Sequence, residues 1–275
     1  MARTRLGPSS SRPTLEYLRH RGPHDVVAGD LAGIGMKGLV FAPFTGPRCP
    51  AVVLGHGYLQ PVRRYADTLR FLASWGFVAA APAGEGGILP SHTGLALDLS
   101  RTLDRLADAK LHNGRVTVDP QRLAVMGHGI GGGAAVLAAA ANAPAIQATV
   151  TVFASSTSPS AVAAAPRVTT PGLHVIGGSD RLADPRTDGR ALARVWGGPV
   201  ELRRVKRARH LAFAEGRHVT SRLLGDEPSR AVTATIRTVA VAFLLLHLAG
   251  QDQLAEELAG PVGKAALLDP STPSP

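Results

Sequence analysis

The sequence predicts an α/β fold in which a mostly parallel central sheet carries helices on both faces. Short apolar runs alternate with longer segments whose apolar residues recur at helical spacing. A succession of strand, helix, strand and helix is typical of βαβ units, which build parallel sheets. The chain has 275 residues, of which 45% are hydrophobic and 18% charged, so it has enough apolar material for a sizeable core.

The strands are predicted from short apolar runs that end in glycine, proline or a polar turn. The runs are 51–54, 77–81, 123–126, 148–153, 173–176 and 200–205. Most of them are too short for helices and lack the polar alternation of a half-exposed strand, so they are expected to be buried in the sheet.

The helices are predicted from apolar spacing over 63–75, 95–111, 130–141, 186–196 and 229–249. The second of these repeats leucine at 95, 99, 103 and 106, which forms one helix face. The last contains the most apolar stretch, Val239 to Ala249, which is well short of the ~20 residues that cross a bilayer. We therefore expect a buried helix there and no transmembrane span.

The chain shows no repeat and no linker midway, so a single domain over residues 25–252 is expected. Residues 1–24 are expected to form a flexible lead-in, and 253–275 a C-terminal extension with a disordered Ser/Pro tail. The N-terminus has basic residues but no apolar segment after them, which does not fit a secretory signal. A cytoplasmic location is the resulting expectation.

The chain is strongly basic, with 30 basic and 20 acidic residues and a net charge of +10. All but four of the basic residues are arginine, which fits a general compositional bias. Aromatic residues make up only 4%, so a base-stacking surface is poorly supplied and nucleic-acid binding is not favoured. The single cysteine, Cys49, cannot form an internal disulfide, and no Cys/His cluster has zinc spacing. No cofactor or metal is expected, and the oligomeric state is left open.

A glycine-rich turn at 127–133 follows one predicted strand and opens a predicted helix. Gly127, Gly129 and Gly132 have the spacing of a dinucleotide fingerprint, but this turn lies mid-chain and no acidic residue follows about 20 positions on. Gly127 and Gly131 instead fit the flanks of a nucleophile elbow, G-x-S-x-G. Gly129 then stands where the elbow requires serine.

Four motifs in order resemble the α/β-hydrolase superfamily, and most closely the bacterial cutinase-like polyester hydrolases and the dienelactone-hydrolase and chlorophyllase-type esterases. The motifs are the loop at 56–58 (His-Gly-Tyr), the run 119–128 into the elbow, the segment 175–185 and the segment 208–213. The resemblance covers roughly 26–249 and implies the α/β-hydrolase fold.

The resemblance also implies site roles, in the superfamily's chain order of nucleophile, acid and histidine. Asp180 is expected to orient His210, with Asp184 as the alternative acid. The backbone N–H groups of Tyr58 and Ile130 are expected to form an oxyanion hole. His56 is expected to brace its loop and His128 to pack beside the elbow, and neither is expected to react.

Glycine has no hydroxyl and cannot carry an acyl group, so the chain is expected to be weakly active or inactive and to bind a small ester-like or acyl ligand. One alternative is an ester hydrolase in which His210 activates water. Another uses a substitute serine, for which Ser155 and Ser156 are the candidates after a strand end. The region after that strand has no tryptophan where the polyester hydrolases carry an aromatic clamp. A nucleic-acid-binding role is the third and least favoured interpretation.

Overall fold

A computed structural model describes residues 13–142, 145–216, 219, 221 and 225–272. The first half of the predicted lead-in, residues 1–12, and the last three residues of the predicted tail lie outside the described residues. Within the described part, ten strands form one sheet in the order β1-β2-β4-β3-β6-β7-β8-β9-β10, with β5 beside β6. The strands are β1 (Val26–Asp30), β2 (Gly38–Pro43), β3 (Gly46–Gly55), β4 (Val78–Pro82), β5 (Lys110–Leu111), β6 (Val116–His128), β7 (Ile146–Val152), β8 (Gly172–Gly177), β9 (Val200–Val205) and β10 (Ala265–Leu268).

The centre of the sheet is parallel, from β4 through β3, β6, β7 and β8 to β9. Antiparallel pairs complete both edges, with β1 and β2 on one side and β10 on the other. The predicted mostly parallel sheet is confirmed. Because the parallel strands all point the same way, the loops after β3, β6, β7, β8 and β9 meet at one edge.

Helices cover both faces of the sheet, as the sequence predicts. They are α1 (Ala66–Ser74), α2 (His92–Asp108), α3 (Ile130–Ala141), α4 (Ala161–Ala164), α5 (Gly189–Val195), α6 (Arg230–Ala249) and α7 (Leu254–Leu258). One core lies between the sheet and α1, α6 and α7, and the other lies between the sheet and α2, α3 and α5.

The central strands divide their side chains between these two cores. In β3, Val52 and Leu54 pack into the first core and Ala51 and Val53 into the second, and all four are fully buried. Burial on both faces explains why the sequence of this strand is a continuous apolar run and not an alternating one.

Helix α6 is long and apolar enough to cross a membrane by length and composition, but two-thirds of its most apolar window is buried inside the fold. It packs against β7, and its side chains from Val232 to Leu248 belong to the first core. The buried helix expected over this stretch is therefore present as a core element.

Parts of the predicted N-terminal lead-in and C-terminal extension contact the domain. Leu18 in the lead-in is fully buried, and the N–H of Leu15 donates to Glu257 over 2.7 Å. In the C-terminal extension, β10 pairs with β9, and the Arg190 side chain donates to the carbonyl oxygens of Asp269 and Thr272. The described parts of both ends therefore pack on the domain.

Candidate active site

The turn between β6 and α3 has the backbone shape of a nucleophile elbow. Gly129 has φ 57° and ψ −124°, a backbone conformation that residues with a side chain seldom adopt. A Cβ atom on Gly127 would lie 1.9 Å from the carbonyl oxygen of Gly131, and one on Gly131 would lie 2.3 Å from that of Gly55. Both flanks must therefore be glycine, since helix α3 approaches the sheet too closely for any side chain.

His210 and Asp180 meet beside this turn. His210 Nδ1 lies 2.9 Å from Asp180 Oδ2, and both side chains are buried. Asp180 follows β8, where its other oxygen accepts the N–H groups of Leu182 and Ala183. These bonds fix the carboxylate, which in turn holds the imidazole with Nδ1–H towards the acid and Nε2 towards Gly129. Nε2 lies 2.9 Å from the position of a Cβ atom on that residue.

The alternative acid, Asp184, does not reach the histidine. Its carboxylate is half-exposed and accepts bonds from the backbone and the guanidinium of Arg186, which hold its pKa below the usual value. Of the two acids that the sequence offers, the structure brings only Asp180 to His210.

The two predicted oxyanion donors follow β6 and β3, which are neighbouring parallel strands. Ile130 is the first residue of α3, so its N–H is one of the orphan donors of a helix N-terminus. Tyr58 lies in the loop after β3, with its ring half-exposed and its hydroxyl donating to Ile88 O over 2.8 Å. Among the described residues, neither backbone N–H has a hydrogen-bond acceptor.

Comparison with protein families adds to this geometry. A family model described as PET hydrolase-like matches residues 3–195. The chain belongs to the PET hydrolase-like family. The match spans the elbow and Asp180 and ends before His210, so the histidine is assigned by its position in the fold. No curated protein matches the chain significantly. Fold and family together make the chain a hydrolase-type α/β protein of the α/β-hydrolase superfamily.

In this family member, His128 joins the elbow to the histidine loop. The N–H of Gly57 donates to the Tyr65 hydroxyl, which lies 2.7 Å from His128 Nδ1 and donates to it. His128 Nε2 then donates to the carbonyl oxygen of His210 over 2.9 Å. Burial, and next the neighbouring His210, hold the pKa of His128 well below its usual value, so it stays neutral. The sequence predicts only that His128 packs beside the elbow; in the structure this relay of hydrogen bonds connects it to the histidine loop. His56, the histidine expected to brace its loop, is buried, with Nδ1 3.0 Å from Gly57 O.

A second carboxylate, Asp226, contacts the residue that follows His210; no sequence motif indicated it. Asp226 is buried, and its Oδ2 accepts the N–H of Leu211, the residue after the histidine, over 2.9 Å. Its Oδ1 has no partner among the described residues. Burial raises the pKa of this carboxyl group. Together, His128 and Asp226 hold the C=O and the N–H of the peptide bond that follows His210.

The buried guanidinium of Arg64 links the segment after His210 to the loop after β3. It donates to the carbonyl oxygens of Glu215 and Gly216 after His210, and to the Gln60 side chain. Gln60 in turn donates to Tyr58 O over 3.1 Å. No sequence motif marks Arg64, because the backbone and side-chain atoms that its guanidinium contacts are brought together only by the fold.

The arrangement therefore supplies a general base with its orienting acid, two free N–H donors and no nucleophile. Within the described residues, no group of three His, Cys, Asp or Glu side chains could hold a metal ion. The Ser156 hydroxyl donates to Asp188 and not to an imidazole, so it has no base to activate it.

Proposed function

We propose that this protein is a nucleophile-less member of its family that binds a small ester-like or acyl ligand and has weak or no esterase activity. The proposal rests on the position of His210 Nε2, which lies 2.9 Å from where a Cβ atom on Gly129 would be. Glycine supplies no hydroxyl there for the histidine to activate. Loss of a serine nucleophile typically costs on the order of 10⁶ in turnover, while binding and oxyanion contacts remain.

The retained parts support a binding role. The support comes from the contact of His210 with Asp180 and from the hydrogen bond of His128 to the histidine loop. The N–H groups of Tyr58 and Ile130, which have no acceptor among the described residues, are the proposed donors. In this proposal an acyl carbonyl accepts from these two N–H groups, which follow the ends of the neighbouring strands β3 and β6. A cytoplasmic location belongs to this proposal; helix α6 lies in the core, and Cys49 is buried and unpaired.

The second candidate is direct ester hydrolysis by a water that His210 activates. It is favoured by the same unpartnered Nε2, which would accept the proton of a water beside the bound carbonyl. Direct hydrolysis is expected to be slower than the reaction of a serine enzyme, because a loosely held water is a poorer nucleophile than an alkoxide fixed in the elbow.

Measurements on p-nitrophenyl butyrate separate the two candidates. Binding alone predicts no burst and negligible turnover in wild type. Direct hydrolysis predicts steady turnover without a burst, abolished in His210→Ala. His247→Ala is the matched control, because His247 lies on α6 among the residues that line a groove with α7.

A further inference from the structure

A groove of about 490 Å³ at the end of β8 contains more arginine than any other residue type. Its four arginines come from the loop after β8, from the start of α5 and from β9: Arg181, Arg186, Arg190 and Arg204. Asp180 of the candidate active site also lines the groove, whereas Gly129 and His210 do not. The groove is therefore distinct from the space beside the elbow, and what it binds does not depend on the proposed function.

The packing of α5 on β8 brings two of these arginines together. Arg204 is paired with Ile176 in the register of β9 against β8. Gly189, the first residue of α5, lies directly against Ile176, because a Cβ atom on this glycine would be 2.4 Å from Ile176 Cγ2. Arg190 is the next residue of the helix. The first turn of α5 thus lies over the β8 neighbour of Arg204, and both arginines line the same groove.

Arg190 is a buried cation without a carboxylate partner. It is only 6% exposed, and its Nη1 donates to the carbonyl oxygens of Asp269 and Thr272. No described residue accepts a hydrogen bond from its Nε or Nη2. Burial, and next the charges of Arg194 and Arg204, lower the pKa of Arg190. Since carbonyl oxygens carry only partial charge and a buried ion is costly without an opposite charge, an anion beside Arg190 would be stabilising.

The two carboxylates in the groove are already engaged. Asp180 contacts His210 through Oδ2, and its Oδ1 accepts two backbone N–H groups of the turn that follows. Asp184 forms an ion pair with Arg186 at 3.3 Å. These contacts give one of the four arginines an acidic partner and leave the other three without one among the described residues.

The three remaining arginines give the groove an uncompensated positive charge. Arg181 and Arg204 are exposed, and neither side chain has a hydrogen bond or ion pair within the described part of the chain. The charge of Asp269 also acts on Arg190, but this carboxylate does not line the groove and accepts hydrogen bonds from Ser271. The groove therefore fits an anion that carries more than one negative charge.

We propose that this groove binds a dianionic phosphate group, with Arg190 and Arg204 as its main contacts and Arg181 as a third. A guanidinium can donate two parallel N–H bonds to phosphate oxygens, and Nε and Nη2 of Arg190 form such a free edge. A phosphate group carries about −2 charge and three acceptor oxygens, so it can bind several arginines, whereas a monocarboxylate balances one. No covalent bond forms.

The first experiment compares anions on the intact chain at constant ionic strength. Titration calorimetry at about pH 8, where phosphate is a dianion, uses inorganic phosphate, methyl phosphate and acetate. We expect both phosphates to bind about tenfold or more tightly than acetate, because each additional charge-assisted hydrogen bond contributes that much. Phosphate should also raise the unfolding temperature more than acetate does, since it binds the folded protein.

Two variants locate the phosphate. Arg204→Gln should lower phosphate affinity by about tenfold or more. Arg101→Gln is the matched control, because it removes the same charge from an exposed arginine of α2 that does not line the groove. It should change the affinity by less than about twofold. Arg190→Gln should weaken binding as Arg204→Gln does, and where circular dichroism shows that it is not folded, the exposed Arg204 decides.

Flotation with vesicles separates the possible sources of the phosphate group. Binding to phosphatidylcholine vesicles that contain phosphatidic acid, lost in Arg204→Gln and displaced by free phosphate, would identify a lipid headgroup. Binding of methyl phosphate without binding to these vesicles would identify a soluble phosphomonoester or inorganic phosphate. Either result supports the phosphate site.

Phosphate binding that is no tighter than acetate binding would overturn the proposal. Equal losses of phosphate affinity in Arg204→Gln and Arg101→Gln would also overturn it, because the effect would then come from the net charge of the protein and not from the groove. These outcomes leave the proposed function at the elbow untouched, since Gly129 and His210 do not line the groove.

Discussion

His210 Nε2 lies 2.9 Å from the point at which a side chain on Gly129 would begin. Real Cβ atoms almost never approach a neighbour so closely, so the imidazole lies nearer to the elbow backbone than a side chain at 129 would permit. Any residue other than glycine must displace the ring by a few tenths of an ångström. The absence of a side chain and the position of the histidine are therefore coupled.

This coupling predicts the cost of restoring serine. Gly129→Ser places a side chain at φ 57° and against the ring, so we expect a loss of about 1–3 kcal/mol in the free energy of unfolding. Urea denaturation measures it. Gly86→Ser is the control, because a Cβ there would meet no atom within 4 Å. Equal stability of the two variants would show that the elbow is relaxed.

The two candidate acids give different results in the Gly129→Ser background. Asp180→Asn removes the group that orients His210, and we expect the rate of acyl-enzyme formation to fall by about 10³–10⁴. Asp184→Asn should change it less than about threefold, since Asp184 pairs with Arg186. Stopped-flow release of p-nitrophenol measures both. A larger loss with Asp184→Asn would reverse the assignment of the acid.

The Tyr65 hydroxyl has two buried partners. Tyr65→Phe leaves both the Gly57 N–H and His128 Nδ1 without their hydrogen bonds, so we expect a loss of about 2–4 kcal/mol in the free energy of unfolding. Tyr17→Phe is the matched control, because Tyr17 is exposed and its ring only packs on Trp75. A loss below about 1 kcal/mol would mean that the relay contributes little to holding the elbow.

His174 makes stability depend on pH. Burial lowers its pKa to about 3, so the folded protein keeps it neutral while the unfolded chain protonates it at an ordinary value near 6.5. Its contribution is full above about pH 6.5 and is lost as the pH falls towards 3. His174→Asn should reduce the slope of unfolding free energy against pH by about 1.4 kcal/mol per unit in that window. Asn keeps a partner for Thr151, which lies 2.8 Å from Nδ1. An unchanged slope would contradict a buried neutral His174.

The parallel strands and the helices between them could be predicted because short apolar runs and helical spacing mark them in the local sequence. The strand over 200–205 and the helix over 130–141 were predicted with the bounds that the structure shows. The edge strands β1, β2 and β10 were not predicted. β2 and β10 contain the short apolar runs 39–42 and 265–268, but a run of four residues does not by itself distinguish a strand from another apolar segment. Their pairing depends on distant residues, as in the register of β10 against β9.

The site residues also divide into those that a local sequence motif indicates and those that only the fold brings together. Gly129, Asp180 and His210 follow strand ends and lie in recognisable motifs, so their meeting could be predicted from chain order. Asp226 and Arg64 could not, because they act on backbone atoms whose positions only the fold determines. The distance between His210 and the elbow could not be predicted from the sequence either, since it depends on the packing of Asp180 and His128 around the ring.

The most direct test of the central claim is the burst of p-nitrophenol from p-nitrophenyl butyrate in Gly129→Ser. If the site lacks only its nucleophile, the variant should release about one equivalent of p-nitrophenol in a fast phase. Mass spectrometry should find the butyryl group on the introduced hydroxyl at position 129, and wild type should show neither the burst nor the acyl group. A folded Gly129→Ser protein with no burst and no acylation, or a burst in wild type, would contradict the account.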